Sequence, residues 1–458
     1  MHGATRTCAG LKDTKMEKQH EPVEHLVQAD RVHRRVYTDP DIFALEMTHL
    51  WGYAWVYIGH ESQVPEAGSY LTTTLGTRPV IMVRGDDDQI RVLHNRCAHK
   101  GAKVATRPCG KASVLRCPYH GWSYGLDGAL KATPHAVGFE GTGFSPDKFG
   151  LAPVANTGSY EGFVFAQLND SGVTLENFLG DTRYTIDNVL DRSPAGRVSV
   201  AGPGLPYLHD CNWKMFVENL NDAVHPMVAH GSVGAACRQY MSVHQPETPP
   251  NEAQIIFPFA SSYEFFDGMG VTALPYGHSY MGGNVSIHSE YQDIPGYYDA
   301  LVHRHGQSKA QAVLRQNRHN TTIYPSFTIK DAIQAIRIAR PISVNQTLIE
   351  TYHLRLDGAP DELLHRTITY SRLINSPASM VGPDDWDCYA RMQESLASEG
   401  RDWVYLGRYL GQERPANGAG QPDEGMHQAG ALVAPGTSEL SQRNQFQAWS
   451  EYMSAAGE

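Results

Sequence analysis

The chain has 458 residues, with 38 Lys+Arg against 49 Asp+Glu for a formal net charge of −11, and 41% of its residues are hydrophobic. It is too long for one small domain and apolar enough for a sizeable core, so two folded units are expected. Negative charge without a basic block argues against nucleic acid and anionic membranes as partners, because both require clustered Lys/Arg.

No apolar run reaches the roughly 20 residues that a membrane helix needs, and residues 1–20 are polar rather than signal-like. They are expected to form a flexible N-terminus, and the chain is expected to be cytoplasmic. Seven cysteines, an odd number at irregular spacing, suit a reducing compartment. Asp39-Pro40 then opens a short helix over 41–51. Residues 53–170 read as short strands broken by Gly, Pro and Asp, including a hairpin around Asp86-Asp87-Asp88 and a Leu-Asp-Gly turn, hence a small all-β domain.

Beyond residue 170 the texture changes. Helical periodicity covers 213–229, 362–374 and 384–397, and strand-like runs cover 253–257, 261–266, 321–329, 333–340 and 347–356. Consecutive strands with helices outside them predict an antiparallel α+β domain made of 21–52 and 171–458. A Gly/Pro-rich loop over 411–436 and a last helix over 439–453 close the chain.

Two motifs carry chemistry. Cys97-Ala98-His99 and Cys117-Pro118-Tyr119-His120-Gly121-Trp122 each present one thiolate and one imidazole. A tetrahedral zinc site is one reading, although zinc knuckles usually pair cysteine with cysteine. The mixed knuckles suit a Rieske 2Fe-2S centre better, with Cys97 and Cys117 on one iron and His99 and His120 on the other. Cys109, between the knuckles, is expected to be a packed thiol.

The second motif runs from Asn212 to His230. On one continuous helix Glu218, Asp222 and His225 would share a face, with Pro226 distorting the helix so that His230 returns to the same side. Two imidazoles plus one carboxylate form the facial set of mononuclear non-haem Fe(II) oxygenases, and the carboxylate must come from elsewhere. The candidates are Asp384 and Asp385, at the start of a helix, where acids also favour the helix dipole.

Together these motifs resemble the large (α) subunit of Rieske non-haem iron ring-hydroxylating dioxygenases. The resemblance implies an all-β Rieske domain and a helix-grip catalytic domain with an antiparallel sheet. The cofactors it implies are one Rieske 2Fe-2S cluster and one mononuclear Fe(II) held by His225, His230 and Asp385, with Asp384 as the alternative. It implies head-to-tail assembly, as a homotrimer or with a small β subunit, in which Asp222 links His225 to His120 of the partner subunit. Asn219 is carried over as an active-site polar residue. Tyr119 stands where respiratory Rieske proteins have a further cysteine, so the oxygenase type is implied.

The spacing Glu218-Asn219-x-x-Asp222 is similar to that of the benzoate and terephthalate branch, which implies an aromatic carboxylate oxidised by O2 to a cis-dihydrodiol. Arg337 and Arg340 are candidate partners for such a carboxylate. NADH electrons would come from a separate reductase, with or without a ferredoxin, since the chain shows no Gly-rich dinucleotide fingerprint after a strand. A Rieske monooxygenase and a Rieske electron carrier are the competing readings.

Overall fold

A computed structural model describes residues 23–247, 249–283, 294–416 and 429–454. The segment 1–20 read as a flexible N-terminus and most of the loop over 411–436 lie outside them.

The short opening helix forms as the sequence predicts. Asp39 caps Pro40–Thr48 by accepting hydrogen bonds from the Asp41 and Ile42 amides, and a further turn, Leu50–Tyr53, follows. The chain then enters three small antiparallel sheets. One orders Ile90–His94, Arg78–Arg84, Ser69–Leu75 and Cys109–Lys111. A second joins Leu115–Arg116, Ser123–Tyr124 and Leu130–Ala132, and a third joins Val56–His60, Phe163–Gln167 and Asn156–Tyr160. Cys109 lies on an edge strand and is exposed rather than packed.

The larger part is built on an antiparallel sheet. Its order is Val198–Val200, Gln346–Leu356, Ala335–Ser343, Phe327–Lys330, Asn317–Ile323, Ser279–Gly283, Val271–Ala273, Leu432–Ala434 and Arg414–Pro415, with Leu205–His209 also pairing on Gln346–Leu356. The Gly/Pro-rich tail therefore supplies the last two strands at one end of the sheet, which the sequence did not suggest. Helix Leu440–Ser454 packs against this sheet and buries Trp449, Phe446 and Met453. One core runs from Val56 and Val80 of the β region to Trp213, Tyr324 and Trp449, so the Rieske-like and catalytic regions share apolar packing.

Several expected elements differ. The runs 253–257 and 261–266 are helices, Asn251–Ile256 and Tyr263–Met269, not strands. Ser262 accepts the Phe265 amide as an N-cap, and Gly270 at φ +72° ends the second helix; local capping outweighs the β preference of short aromatic runs. The run 321–329 is two strands, because Tyr324-Pro325-Ser326 reverses the chain and sets Ile323 against Phe327.

The helix over 213–229 is divided into Trp213–Asn219 and Pro226–Ala229. Pro226 does not kink a continuous helix: it stands at the first position of a new one, where its missing N–H costs nothing. Asp222 caps the approach by accepting from the Val224 amide at 2.7 Å and the His225 amide at 3.3 Å. Glu218, still helical, turns away from the site to Tyr37 Oη at 3.2 Å.

Candidate active site

The two Cys/His loops are built alike. The Cys97 carbonyl accepts the Gly101 amide and the Cys97 amide donates to Ala102 O, both at 2.9 Å. Cys117 does the same with Gly121 at 3.1 Å and Trp122 at 2.8 Å. Both glycines lie at positive φ, +75° and +71°, where a side chain would be strained, and a Cβ at Gly121 would also meet Pro134 Cγ at 3.0 Å.

These turns bring the imidazoles of His99 and His120 to a ring separation of 4.6 Å, and Trp122 stacks on His99 at 4.8 Å. Cys97 and Cys117 are buried free thiols. Tyr124 Oη accepts the Ala98 amide at 3.1 Å, which leaves its own proton for Cys97 Sγ, also at 3.1 Å. Buried thiols beside two adjacent imidazoles, with His99 Nδ1 buried and without a hydrogen-bond partner, fit a cluster ligated by sulfur on one side and nitrogen on the other.

The break between Trp213–Asn219 and Pro226–Ala229 sets His225 just before the second helix and His230 just after it. Helix Gly382–Ala397 presents Asp384 and Asp385 in its first turn. His225, His230 and Asp385 each offer a ligand atom within 4.8 Å of the others. Asp385 Oδ1 is 3.1 Å from His230 Nε2 and 3.5 Å from His225 Nε2. Two metal bonds of roughly 2.1 Å at right angles separate their donor atoms by about 3 Å, so the spacing fits one ion. His230 Nε2 faces Asp385 without hydrogen-bond alignment and is otherwise unpartnered, as a nitrogen kept for a metal would be.

Asp384 takes a different place, 3.2 Å from His230 Nδ1. The Nδ1 proton donates to Asp384 Oδ2, which fixes the tautomer and leaves the Nε2 lone pair free. Burial opposes charging of His230, but Asp385 and Asp384 together hold its pKa above the ordinary value. Asn219 Nδ2 donates to His225 Nε2 at 3.1 Å and to Asp385 Oδ1 at 3.3 Å, so it also reaches the site. Asp222 Oδ2 is 3.7 Å from His225 Nδ1, and its side chain keeps 38% of its surface exposed. Burial works against its charge, yet His225 and the two amides bring its carboxyl below the ordinary range.

Asn219, Asp222, His225, His230 and Asp385 line a cavity of about 850 Å³, mouth included, with apolar walls that include Phe259, Phe266, Met281 and Trp386. Lys330 and Tyr370, which sequence reasoning did not single out, also line it, as does Arg337. Arg340 does not: it pairs with Glu350 at 3.0 Å and donates to the carbonyls of Tyr57 and Thr74, a structural role. The signal for Lys330 was a lysine ending the otherwise uncharged strand Phe327–Lys330.

Residues 54–143 match the Rieske 2Fe-2S domain, and residues 176–454 match the ring hydroxylating alpha subunit (catalytic domain). The chain therefore belongs to the ring-hydroxylating alpha-subunit family, as an oxidoreductase with a Rieske cluster and a mononuclear iron. It is 29% identical over 410 residues to toluate 1,2-dioxygenase subunit alpha of Pseudomonas putida, covering 88% of each chain. It is 28% identical to the 2-halobenzoate 1,2-dioxygenase large subunit of Burkholderia cepacia, covering 82% of this chain and 80% of that one. A naphthalene 1,2-dioxygenase mutant bound to phenanthrene shares the fold, with TM-score 0.78 and 22% identity over 93% of this chain and 94% of the other. Among the described residues no helix is long and apolar enough to cross a membrane.

Proposed function

We propose that this chain is the terminal oxygenase component of a cytoplasmic system that converts an aromatic carboxylate into a cis-dihydrodiol. Both oxygen atoms come from O2, and two electrons come from NADH through a separate reductase, with or without a ferredoxin. The observation that carries this reading is the convergence of His225 Nε2, His230 Nε2 and Asp385 Oδ1 on one point of an apolar-walled cavity, in a chain that also holds the paired Cys/His loops. The names of the toluate and 2-halobenzoate relatives support an acid as substrate.

Cys97, Cys117, His99 and His120 would hold the cluster, and His225, His230 and Asp385 the iron. When bound, the cluster supplies single electrons and the iron supplies reductive O2 activation. The chain's own residues do the rest. Asp384 orients His230, Asn219 donates to Asp385, and the apolar wall excludes water around the ring. Asp222, exposed on the far side of His225 from the cavity's metal-facing nitrogen, would join His120 of the partner subunit in a trimer, with or without β subunits, giving electrons a short path between chains.

The test uses the anaerobically purified holoenzyme with a surrogate reductase, aromatic carboxylates and 18O2. Two labelled atoms in one product support dioxygenation. One labelled atom makes the protein a monooxygenase. His225→Ala should abolish turnover while the cluster's visible spectrum remains; unchanged oxygen uptake and product formation in that variant would sink the assignment.

A further inference from the structure

The cavity holds two cations that the metal site does not use. Strand register places Arg337 opposite Thr328, and Lys330 lies two residues beyond Thr328, so the two cations project from the same face of neighbouring strands. Both line the cavity that His225, His230 and Asp385 also line. The metal-facing groups come from the helical side, on the turns around Pro226–Ala229 and the first turn of Gly382–Ala397, whereas these two come from the sheet.

Among the described residues neither cation forms an ion pair. Lys330 is 5% exposed, and its Nζ donates to Tyr370 Oη at 2.8 Å, lies 3.4 Å from His319 Nε2 and sits 5.1 Å from the Tyr370 ring centre. The Arg337 guanidinium lies 4.5 Å from the Phe216 ring centre. Its Nη2 donates to Tyr207 Oη at 3.4 Å, and its Nε is buried without a partner. Other buried cations are satisfied within the fold: Lys214 pairs with Glu46 at 2.6 Å and Arg340 with Glu350 at 3.0 Å, while Arg192 donates to Asn188 Oδ1 at 2.9 Å and to the Gln316 carbonyl at 2.6 Å. Asp385 is already committed to the two histidines and does not come within ion-pair distance of either cation.

A charge taken from water without a counter-ion is costly; Lys330 and Arg337 have only hydroxyl, imidazole and aromatic-ring partners, and both border the cavity. Burial, and secondarily Arg337, push the Lys330 amine well below its ordinary value; burial also opposes the charge of Arg337, but Tyr207, Tyr389 and Asp385 hold it above its own. We infer that Lys330 and Arg337 form a subsite for a carboxylate on the aromatic substrate. This rests on the oxygenase reading and adds to it the residues that select the substrate. A carboxylate there would accept from the ammonium and from the guanidinium fork, while its apolar ring stays among Phe259, Met281 and Trp386 on the way to the helical side. A neutral ring of the same shape would leave both cations unpaired.

The experiment measures equilibrium binding of benzoate and of its neutral isostere benzamide to the anaerobic holoenzyme, read by the fluorescence of Trp386 and its neighbours or by calorimetry. The wild type should favour benzoate by about tenfold or more. Lys330→Met and Arg337→Met should each collapse that ratio by about tenfold or more, and Lys330→Arg should restore most of it. Lys330→Met removes only an ammonium from an unbranched chain, so it keeps the test open if the Arg337 variant does not fold. Equal affinity for the two ligands in the wild type, or an unchanged ratio in Lys330→Met, would overturn the subsite. Failure of the oxygenase reading appears separately, as absence of 18O in every product while the binding ratio is still measurable.

Discussion

His230 is held from both sides of its ring by adjacent residues: Asp384 Oδ2 lies 3.2 Å from Nδ1, and Asp385 Oδ1 lies 3.1 Å from Nε2. Two neighbouring acids in one helical turn therefore have different tasks. Asp385→Ala should abolish retention of the mononuclear iron. Asp384→Asn should weaken it by roughly 10–100-fold, the usual effect of losing the group that orients a ligand imidazole. Iron content after dialysis against a graded chelator, with the cluster absorbance as internal reference, checks both.

Asp222 caps the amides of Val224 and His225, and its second oxygen lies near His225 Nδ1. Asn at this position can still accept the two amides but carries no charge. Asp222→Asn should retain both metals and a reducible cluster while turnover falls by two or more orders of magnitude. Single-turnover oxidation of the pre-reduced cluster in the presence of substrate and O2 is the measurement; wild-type rates would remove the electron bridge.

Tyr124 donates to Cys97 Sγ at 3.1 Å. A hydrogen bond to a cluster-ligating thiolate stabilises the more negative, reduced state, so its loss lowers the potential. Tyr124→Phe should move the midpoint negative by some tens of millivolts, read by a spectroscopic redox titration.

Burial pushes His60, His209 and His278 down from 6.5 to about 4, about 3 and about 4. His278 shows the cause in its contacts: its Nε2–H donates to Phe178 O at 2.8 Å while Nδ1 accepts the Tyr324 amide at 3.0 Å, which only the neutral ring can do. The unfolded chain takes up these protons near pH 6.5 and the folded chain does not, so their stabilisation is complete above that pH and is lost as pH falls towards 4. Glu218 has the opposite sign. Burial raises it from 4.5 to about 8, so its contribution is full below 4.5 and disappears as pH rises through 8. Urea midpoints should thus be highest near neutrality, and Glu218→Gln should remove the decline between neutrality and pH 8 while steepening the rise below neutrality.

Glu46 is fully buried and accepts from Lys214 Nζ at 2.6 Å, Trp449 Nε1 at 2.7 Å and Trp213 Nε1 at 2.9 Å. Glu46→Ala strands a buried ammonium and two indole donors and should cost about 3–5 kcal/mol. The thermal midpoint of the holoenzyme is the readout.

The chemistry was legible in the sequence because metals demand particular atoms at short range. Cys97, His99, Cys117 and His120 declare themselves by type and spacing, and His225 and His230 flank a proline that the structure uses, although to start a helix rather than bend one. What was not legible depended on competition or on distance. The segments around Ala253 and Phe265 have apolar runs that suit either a strand or a helix, and a serine cap and tertiary packing decided. Lys330 and Arg337 become neighbours only through a strand register that no local pattern encodes, and the engagement of Arg340 elsewhere depends on Glu350 and on carbonyls far along the chain.

Glu46 and Trp449 are separated by 403 positions, yet share one hydrogen bond in the same buried knot as the helix that leads to Asn219. During synthesis that carboxylate must wait for its final donor until the ribosome has made nearly everything in between. The helix that leads to the iron pocket gains its full set of buried partners only when the last helix docks, and a nascent chain halted before that point would lack Phe446 and Trp449 from the core that both regions share.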